Sequence, residues 1–285
     1  MADSTSFDPN SPQFLALVDL VSQGGVVTLV GAGLSTESGI PDYRGPTGLA
    51  RGATPMTYQV FTRDADARRR YWARSHVGWR QIGAAAPNTG HRAVAGLQAL
   101  DVLSGVVTQN VDGLHQAGGA RDVVELHGSL HRVVCLDCGA RTPRQQLDER
   151  LREVNAGWRV GSGASRPDGD VELAEAEVER FVVAPCFTCG GVLKPDVVFF
   201  GETVPADRVE RCFALVARAQ ALLVIGSSLS VMSGYRFVLR AAKLGLPVAV
   251  VNDGPTRGDA HASIRLHDRL GQVLPALLDR LGGHQ

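Results

Sequence analysis

Four short runs of apolar, mostly β-branched residues each end abruptly in glycine or small polar residues, and this recurring pattern admits few folds. Val26-Val27-Thr28-Leu29-Val30 ends in Gly31-Ala32-Gly33, Leu103 to Thr108 in Gln109-Asn110-Val111-Asp112, Leu222 to Ile225 in Gly226-Ser227-Ser228, and Pro247 to Val251 in Asn252-Asp253-Gly254. Continuous rather than alternating apolar runs mark strands buried on both faces, as in parallel sheets. Helical patterns lie around and between them, over Gln13 to Val21, His91 to Leu100, Val209 to Ala219 and Gly234 to Leu244. Strands alternating with helices predict an α/β, doubly wound, Rossmann-like parallel sheet. Ligands of such sheets bind beyond the carboxyl ends of the strands. All four ends here carry residues suited to one shared site, although loops are polar in any case.

Two segments break the alternation. Residues 51–84 are rich in arginine and aromatics, with Tyr71, Trp72 and Trp79 at helical spacing, and read as a small helical lobe. Residues 131–194 hold four of the five cysteines and a polar stretch, Gly161 to Asp170, that reads as an exposed loop. The expected division is therefore a discontinuous Rossmann-like domain (13–50, 85–130 and 195–285), the helical lobe (51–84) and a cysteine-bearing module (131–194).

Cys135-x-x-Cys138 and Cys186-x-x-Cys189 form two knuckles, each followed by glycine (Gly139, and Gly190-Gly191) that lets the chain turn tightly. Four thiolates make a closed, tetrahedral, structural zinc site with no open position for water. The gap between the pairs exceeds the usual spacing, so further structure must fold between them. Disulfides and an iron–sulfur cluster are the alternatives; disulfides suit a secreted chain. Cys212 lies alone in a helical pattern and reads as a small buried hydrophobe.

Composition narrows the partners. The formal net charge is +0, which disfavours nucleic-acid binding. No run of about 18 apolar residues spans a membrane. The opening MADSTSFDPNSP lacks the basic and apolar regions of a secretory signal and the arginine-rich, acid-poor character of a mitochondrial leader. A cytoplasmic protein, expected as a monomer, is the reading.

Gly31-Ala32-Gly33 after a strand fits a phosphate-binding turn in which backbone N–H groups and a helix N-terminus face an anion. A full dinucleotide fingerprint needs glycine at 36, where Thr36 stands. The acidic residue expected at the end of a second strand is missing too, since that stretch reads Arg51-Gly52-Ala53-Thr54-Pro55. A hydride-transferring dehydrogenase is therefore disfavoured.

The whole run Gly31-Ala32-Gly33-Leu34-Ser35-Thr36-Glu37-Ser38-Gly39-Ile40-Pro41-Asp42-Tyr43-Arg44-Gly45 resembles the signature of the sirtuins, the NAD-dependent protein deacylases. Thr108 to Asp112, Glu125-Leu126-His127-Gly128, the two cysteine pairs, Val197 to Glu202, Gly226-Ser227-Ser228-Leu229 and Asn252 follow in family order, from about Gly24 to Leu278. Tyr43, Arg70 to Arg74, Val77-Gly78-Trp79, Pro167 to Asp170, Ser233 to Phe237 and Gly254 to Arg257 resemble its class II branch. The missing leader suits a bacterial relative.

The resemblance implies the following chemistry. The acyl-lysine carbonyl oxygen attacks the anomeric carbon of the nicotinamide ribose of NAD, nicotinamide leaves, and an alkylimidate forms. A base then activates a ribose hydroxyl, which attacks the imidate. Free lysine and acyl-ADP-ribose result, and no metal is needed at the reacting centre.

The implied base is His127, just past the apolar run Val123 to Leu126. Taken without the resemblance, a histidine there is more often structural, and His115 and His131 are its rivals. Asn110 offers a donor and an acceptor to ribose hydroxyls or a water. Asp112 and the backbone of Ile40 resemble the nicotinamide contacts, although Asp112 could equally cap the turn into Gly113-Leu114-His115. Asp42, Tyr43 and Arg44 are implied to hold the cofactor loop over the ribose and phosphates. Gly31, Ala32, Gly33, Ser35, Thr36, Gln109, Gly226, Ser227, Ser228, Asn252, Asp253, Gly254 and Leu270 complete the implied NAD site. The resemblance further implies that Val197 and Phe199 wall the acyl-lysine tunnel and that a peptide lies between Gly201-Glu202 and Leu229 to Val231. The proline frequent there in other branches is replaced by Ser233-Gly234. The competing expectations are ADP-ribosyl transfer or NAD hydrolysis at the same site, and a non-catalytic NAD sensor or zinc scaffold.

Overall fold

The computed structural model describes residues 7–42, 55–158 and 173–283. Helix α1 (Pro12–Ser22) opens with the Ser11 hydroxyl capping the Phe14 N–H and proline in its first turn, where a missing N–H costs nothing. It leads into β1 (Val26–Val30), buried at every position, and then a 3-10 helix, Ala32–Ser38. Helices α2 (Tyr58–Arg63) and α3 (Ala65–Ala84) follow, then α4 (Thr89–Ala99), capped by Asn88, and β2 (Leu103–Thr108). Beyond them come α5 (Leu114–Ala117), β3 (Val124–Glu125) and β4 (Gly128–Cys135). The cysteine segment adds β5 (Arg141–Pro143), α6 (Arg144–Val154), α7 (Glu175–Glu179) and β6 (Leu193–Val197). The chain closes with α8 (Ala206–Arg218), β7 (Ala221–Ile225), α9 (Met232–Lys243), β8 (Val248–Val251), β9 (Ile264–Leu266) and α10 (Leu270–Gly282).

Among the described residues the main sheet has six strands in the order β3-β2-β1-β7-β8-β9, all pairs parallel. This is the doubly wound Rossmann order. The chain winds outward in both directions from β1, so the topological switch lies between β1 and β7, where such sheets open a crevice. One core layer joins α1, α4 and α10 to one face through Phe14, Leu17, Leu97 and Leu274. The other packs α8 and α9 on the opposite face through Val216, Phe237 and Val238.

A second sheet, β5-β4-β6, is antiparallel. Its core includes Trp72 and Tyr71 of α3 as well as Leu147, Leu151 and Phe181, so the aromatics of residues 51–84 pack against the cysteine segment. The Trp72 indole N–H donates to the Leu193 carbonyl at 3.2 Å, and the Arg144 guanidinium lies 5.4 Å and 5.3 Å from the Trp72 and Trp79 ring centres. Cys212 is fully buried, as a small hydrophobe should be. The stretch Gly161 to Asp170 lies outside the described residues.

Candidate active site and metal centre

The β1 and β7 ends touch. Gly31 N–H donates to the Ile225 carbonyl and Gly33 N–H to the Gly226 carbonyl, both at 2.9 Å. A Cβ on Gly31 would lie 2.7 Å from the Gly226 carbonyl oxygen, and Gly226 itself has φ +59. These contacts correct the sequence reading of the turn. Two of its N–H groups bond to the neighbouring strand end rather than facing an anion, so the glycines serve close approach, and the helix that follows is 3-10.

Beyond this seam opens a cavity of about 890 Å³. Every described residue assigned to cofactor or substrate from the sequence lines it, Gly31, Asp42, Asn252, Phe199, Glu202 and Val231 among them. Tyr43 and Arg44 lie outside the described residues.

The polar floor is a connected network. The Asn110 amide donates to the Gly31 carbonyl at 3.1 Å and to the Ser35 hydroxyl at 3.0 Å. Ser35 in turn donates to Asp112 at 2.7 Å. Asp112 also accepts from the Leu114 N–H at 2.9 Å, the turn cap considered above, so it caps and lines the cavity at once. The Gln109 amide reaches the Ser227 hydroxyl at 2.9 Å, linking the β2 and β7 ends. The Asn252 amide donates to the Gly254 carbonyl at 2.8 Å.

His127 sits where β3 gives way to β4. Its Nδ1 is 3.0 Å from the Gln109 carbonyl and its Nε2 is 2.9 Å from the Ser233 hydroxyl. A carbonyl only accepts, so Nδ1 carries the proton and Nε2 keeps the lone pair. Burial pushes the proton affinity of His127 down, opposed by the Gln109 carbonyl and reinforced by Arg208 and Arg236. Burial therefore favours the neutral imidazole, whose Nε2 lone pair can accept a proton. His131, a rival from the sequence, bonds the Asp112 carbonyl at 2.9 Å, and His115 is buried away from the cavity lining.

The apolar wall rests on one buried lysine. Lys194 is only 4% exposed; its ammonium meets the Val197 carbonyl and the Glu202 carboxylate and lies 4.9 Å from the Phe199 ring centre. Glu202 also accepts from the Phe199 N–H at 2.8 Å. Both ends of the loop over residues 197–202 are therefore tied together. The Phe199 ring packs against Phe61 and Tyr71 at 5.1 and 5.3 Å. Leu229, also in the lining, is buried with φ 55, a conformation that costs a non-glycine residue on the order of 1 kcal/mol. Sequence reasoning missed Ser233, Arg236 and Lys194. Only the loss of proline at Ser233-Gly234 signalled that the first of these sites differs.

The four sulfurs of Cys135, Cys138, Cys186 and Cys189 lie within 4.8 Å of one another, with Cys135–Cys189 at 3.5 Å and Cys138–Cys186 at 3.8 Å. A tetrahedron with zinc–sulfur bonds of about 2.3 Å has edges of roughly 3.8 Å, so the donors fit one structural zinc. Gly139 and Gly190 turn the knuckles at φ 71 and 74, returning N–H groups to the Cys135 and Cys186 carbonyls.

Known proteins resemble this chain in sequence and fold. The chain is 57% identical over 274 residues to NAD-dependent protein deacetylase 1 of Streptomyces coelicolor, covering 96% of this chain and 92% of the relative. It is 49% identical over 255 residues to the human mitochondrial NAD-dependent protein lipoamidase sirtuin-4, covering 88% and 81%. A solved Sir2–p53 peptide–NAD+ complex superposes with a TM-score of 0.74 at 25% identity, over 98% of this chain and 100% of that one. The model of the Sir2 family matches residues 31–233, and with these relatives it shows that the chain belongs to that family, the sirtuins.

Proposed function

We propose that this chain is an NAD-dependent protein-lysine deacylase that releases nicotinamide and passes the acyl group to ADP-ribose. The observation that carries the reading is the position of His127: an imidazole lining a cavity of polar and apolar residues, its Nδ1 bonded to the Gln109 carbonyl and its Nε2 lone pair facing the Ser233 hydroxyl, which lines the same cavity.

NAD, when bound, supplies an electrophilic anomeric carbon and a ribose hydroxyl that receives the acyl group. The chain's residues do the rest. Asn110, Ser35 and Asp112 offer a preorganised polar surface to the nicotinamide ribose. Ser227, Ser228, Asn252 and Asp253 face the ADP half, and Leu270 closes it. Val197, Phe199 and Leu229 exclude water around the acyl-lysine. A peptide adds as a strand between the Gly201-Glu202 and Leu229 to Val231 segments through main-chain hydrogen bonds. His127 accepts the proton of the attacking hydroxyl. The zinc of the four cysteines stays structural.

The class II branch is the favoured placement, supported by the likeness to the lipoamidase, and long or lipoyl-type acyl groups are therefore substrates to include. No described helix is long and apolar enough to cross a membrane; a cytoplasmic monomer is the proposed state. The proposed units remain 13–50 with 85–130 and 195–285, 51–84, and 131–194. The test is nicotinamide release measured with and without acyl-lysine peptide: peptide-dependent release is expected, and equal release without peptide favours NAD hydrolysis instead.

A further inference from the structure

The lone pair that a general base needs is already engaged in this protein. With Nδ1–H donated to the Gln109 carbonyl, the His127 Nε2 accepts from the Ser233 hydroxyl at 2.9 Å. The local sequence builds this contact. Ser233 stands in the first turn of α9, after Val231 as N-cap. A Cβ on Gly234 would overlap the Gln109 side-chain oxygen, so glycine there lets the helix start lie against the residue that orients the imidazole. A proline at 233 would supply neither hydroxyl nor contact. Ser233 and His127 both line the cavity, so the serine hydroxyl that bonds the base belongs to the same site.

We propose that Ser233 is a further catalytic residue of the deacylation, a relay that carries the proton of the attacking ribose hydroxyl to His127. The inference rests on the deacylase reading. As the ribose oxygen bonds to the acyl carbon, its O–H bond breaks and the proton passes to Ser233 Oγ. The serine's own proton moves to Nε2. Serine ends as a hydroxyl, His127 as an imidazolium, and no other reactant is needed. Nucleophile, base and orienting acceptor in a row is the logic of activated hydroxyls in general.

The experiment compares wild type, Ser233→Ala and Ser233→Thr in single-turnover formation of acyl-ADP-ribose and in nicotinamide exchange, which precedes the base step. A proton inventory of the wild type in mixed light and heavy water accompanies them. Ser233→Ala is expected to slow acyl-ADP-ribose formation about tenfold or more, within the roughly 10²–10⁴ that a general base contributes, with exchange retained. Ser233→Thr should recover most of the rate, and the wild-type inventory should be curved, reporting two protons in flight. Wild-type rate or faster in Ser233→Ala, or a linear inventory, overturns the relay. Should Ser233→Ala lose exchange as well, the wild-type inventory decides. A wild type that makes no acyl-ADP-ribose overturns the deacylase reading and the relay with it.

Discussion

The Asp112 carboxylate accepts the Ser35 hydroxyl at 2.7 Å, joining the loop after β2 to the 3-10 helix after β1 across 77 residues of sequence. Its second oxygen takes the Leu114 N–H, and both partners are donors. Asp112→Asn keeps the shape but replaces one acceptor with an amide donor facing another donor. The KM for NAD is expected to rise roughly tenfold to a hundredfold, the equivalent of the 1.5–3 kcal/mol typical of a charged hydrogen bond. Steady-state kinetics at saturating peptide check this, and an unchanged KM would remove Asp112 from the cofactor wall.

Zinc is expected at one ion per chain. Strand β4 starts next to His127 and ends at Cys135, so the cysteine cluster and the proposed base share one rod of backbone. Structural zinc binding is worth on the order of 10 kcal/mol. Cys189→Ser, or chelation, should therefore abolish deacylation along with the metal content read by elemental analysis. Full activity in metal-free protein contradicts this coupling.

His91 and His115 lie edge to face at 5.1 Å, both essentially inaccessible. Burial pushes His91 down to about 4, partly offset by Asp112, and His115 to about 3. Unfolded, both titrate near 6.5, so between there and about 4 the unfolded chain binds more protons. Stability contributed by the neutral pair is intact above pH 6.5 and declines as pH falls, by up to about 1.4 kcal/mol per pH unit for each histidine. Thermal melts from pH 7 to 4.5 should show the decline, and His115→Phe should flatten part of it. An equal slope in that variant rules the pair out as its source.

Through Glu202, Lys194 holds the 197–202 loop, proposed above to wall the acyl-lysine tunnel. Lys194→Met leaves Glu202 without its cation; breaking a pair this buried costs about 3–5 kcal/mol. The melting temperature should fall and the KM for peptide rise, with less change in the KM for NAD. Peptide binding indifferent to the substitution contradicts the bracing role.

The same lysine shows where sequence patterns stop. The four long parallel strands were legible because their short, mainly apolar runs end abruptly in glycine or small polar residues. Strand β6 reads Leu-Lys-Pro-Asp-Val, yet every position is buried. Lys194 pairs with Glu202, and Asp196 with Arg132 and Arg208 at 3.1 and 3.0 Å. Burial through ion pairs leaves no apolar signature, so the antiparallel sheet of the cysteine segment was invisible. The short edge strand β9 escaped for a different reason, three residues being too few to show a period. The cavity lining was legible from motifs, because strand ends fix which loops converge. The Ser233–His127 contact was not, because it joins residues 106 apart in sequence and depends on how α9 seats against Gln109.

The most direct measurement is mass spectrometry of the products formed from NAD and a panel of acyl-lysine peptides, beside a His127→Ala control. Free lysine peptide together with acyl-ADP-ribose is predicted for at least one acyl group, reduced roughly 10²–10⁴-fold in the control. Nicotinamide and ADP-ribose, free or attached to protein, with every peptide still acylated, would contradict the deacylase account.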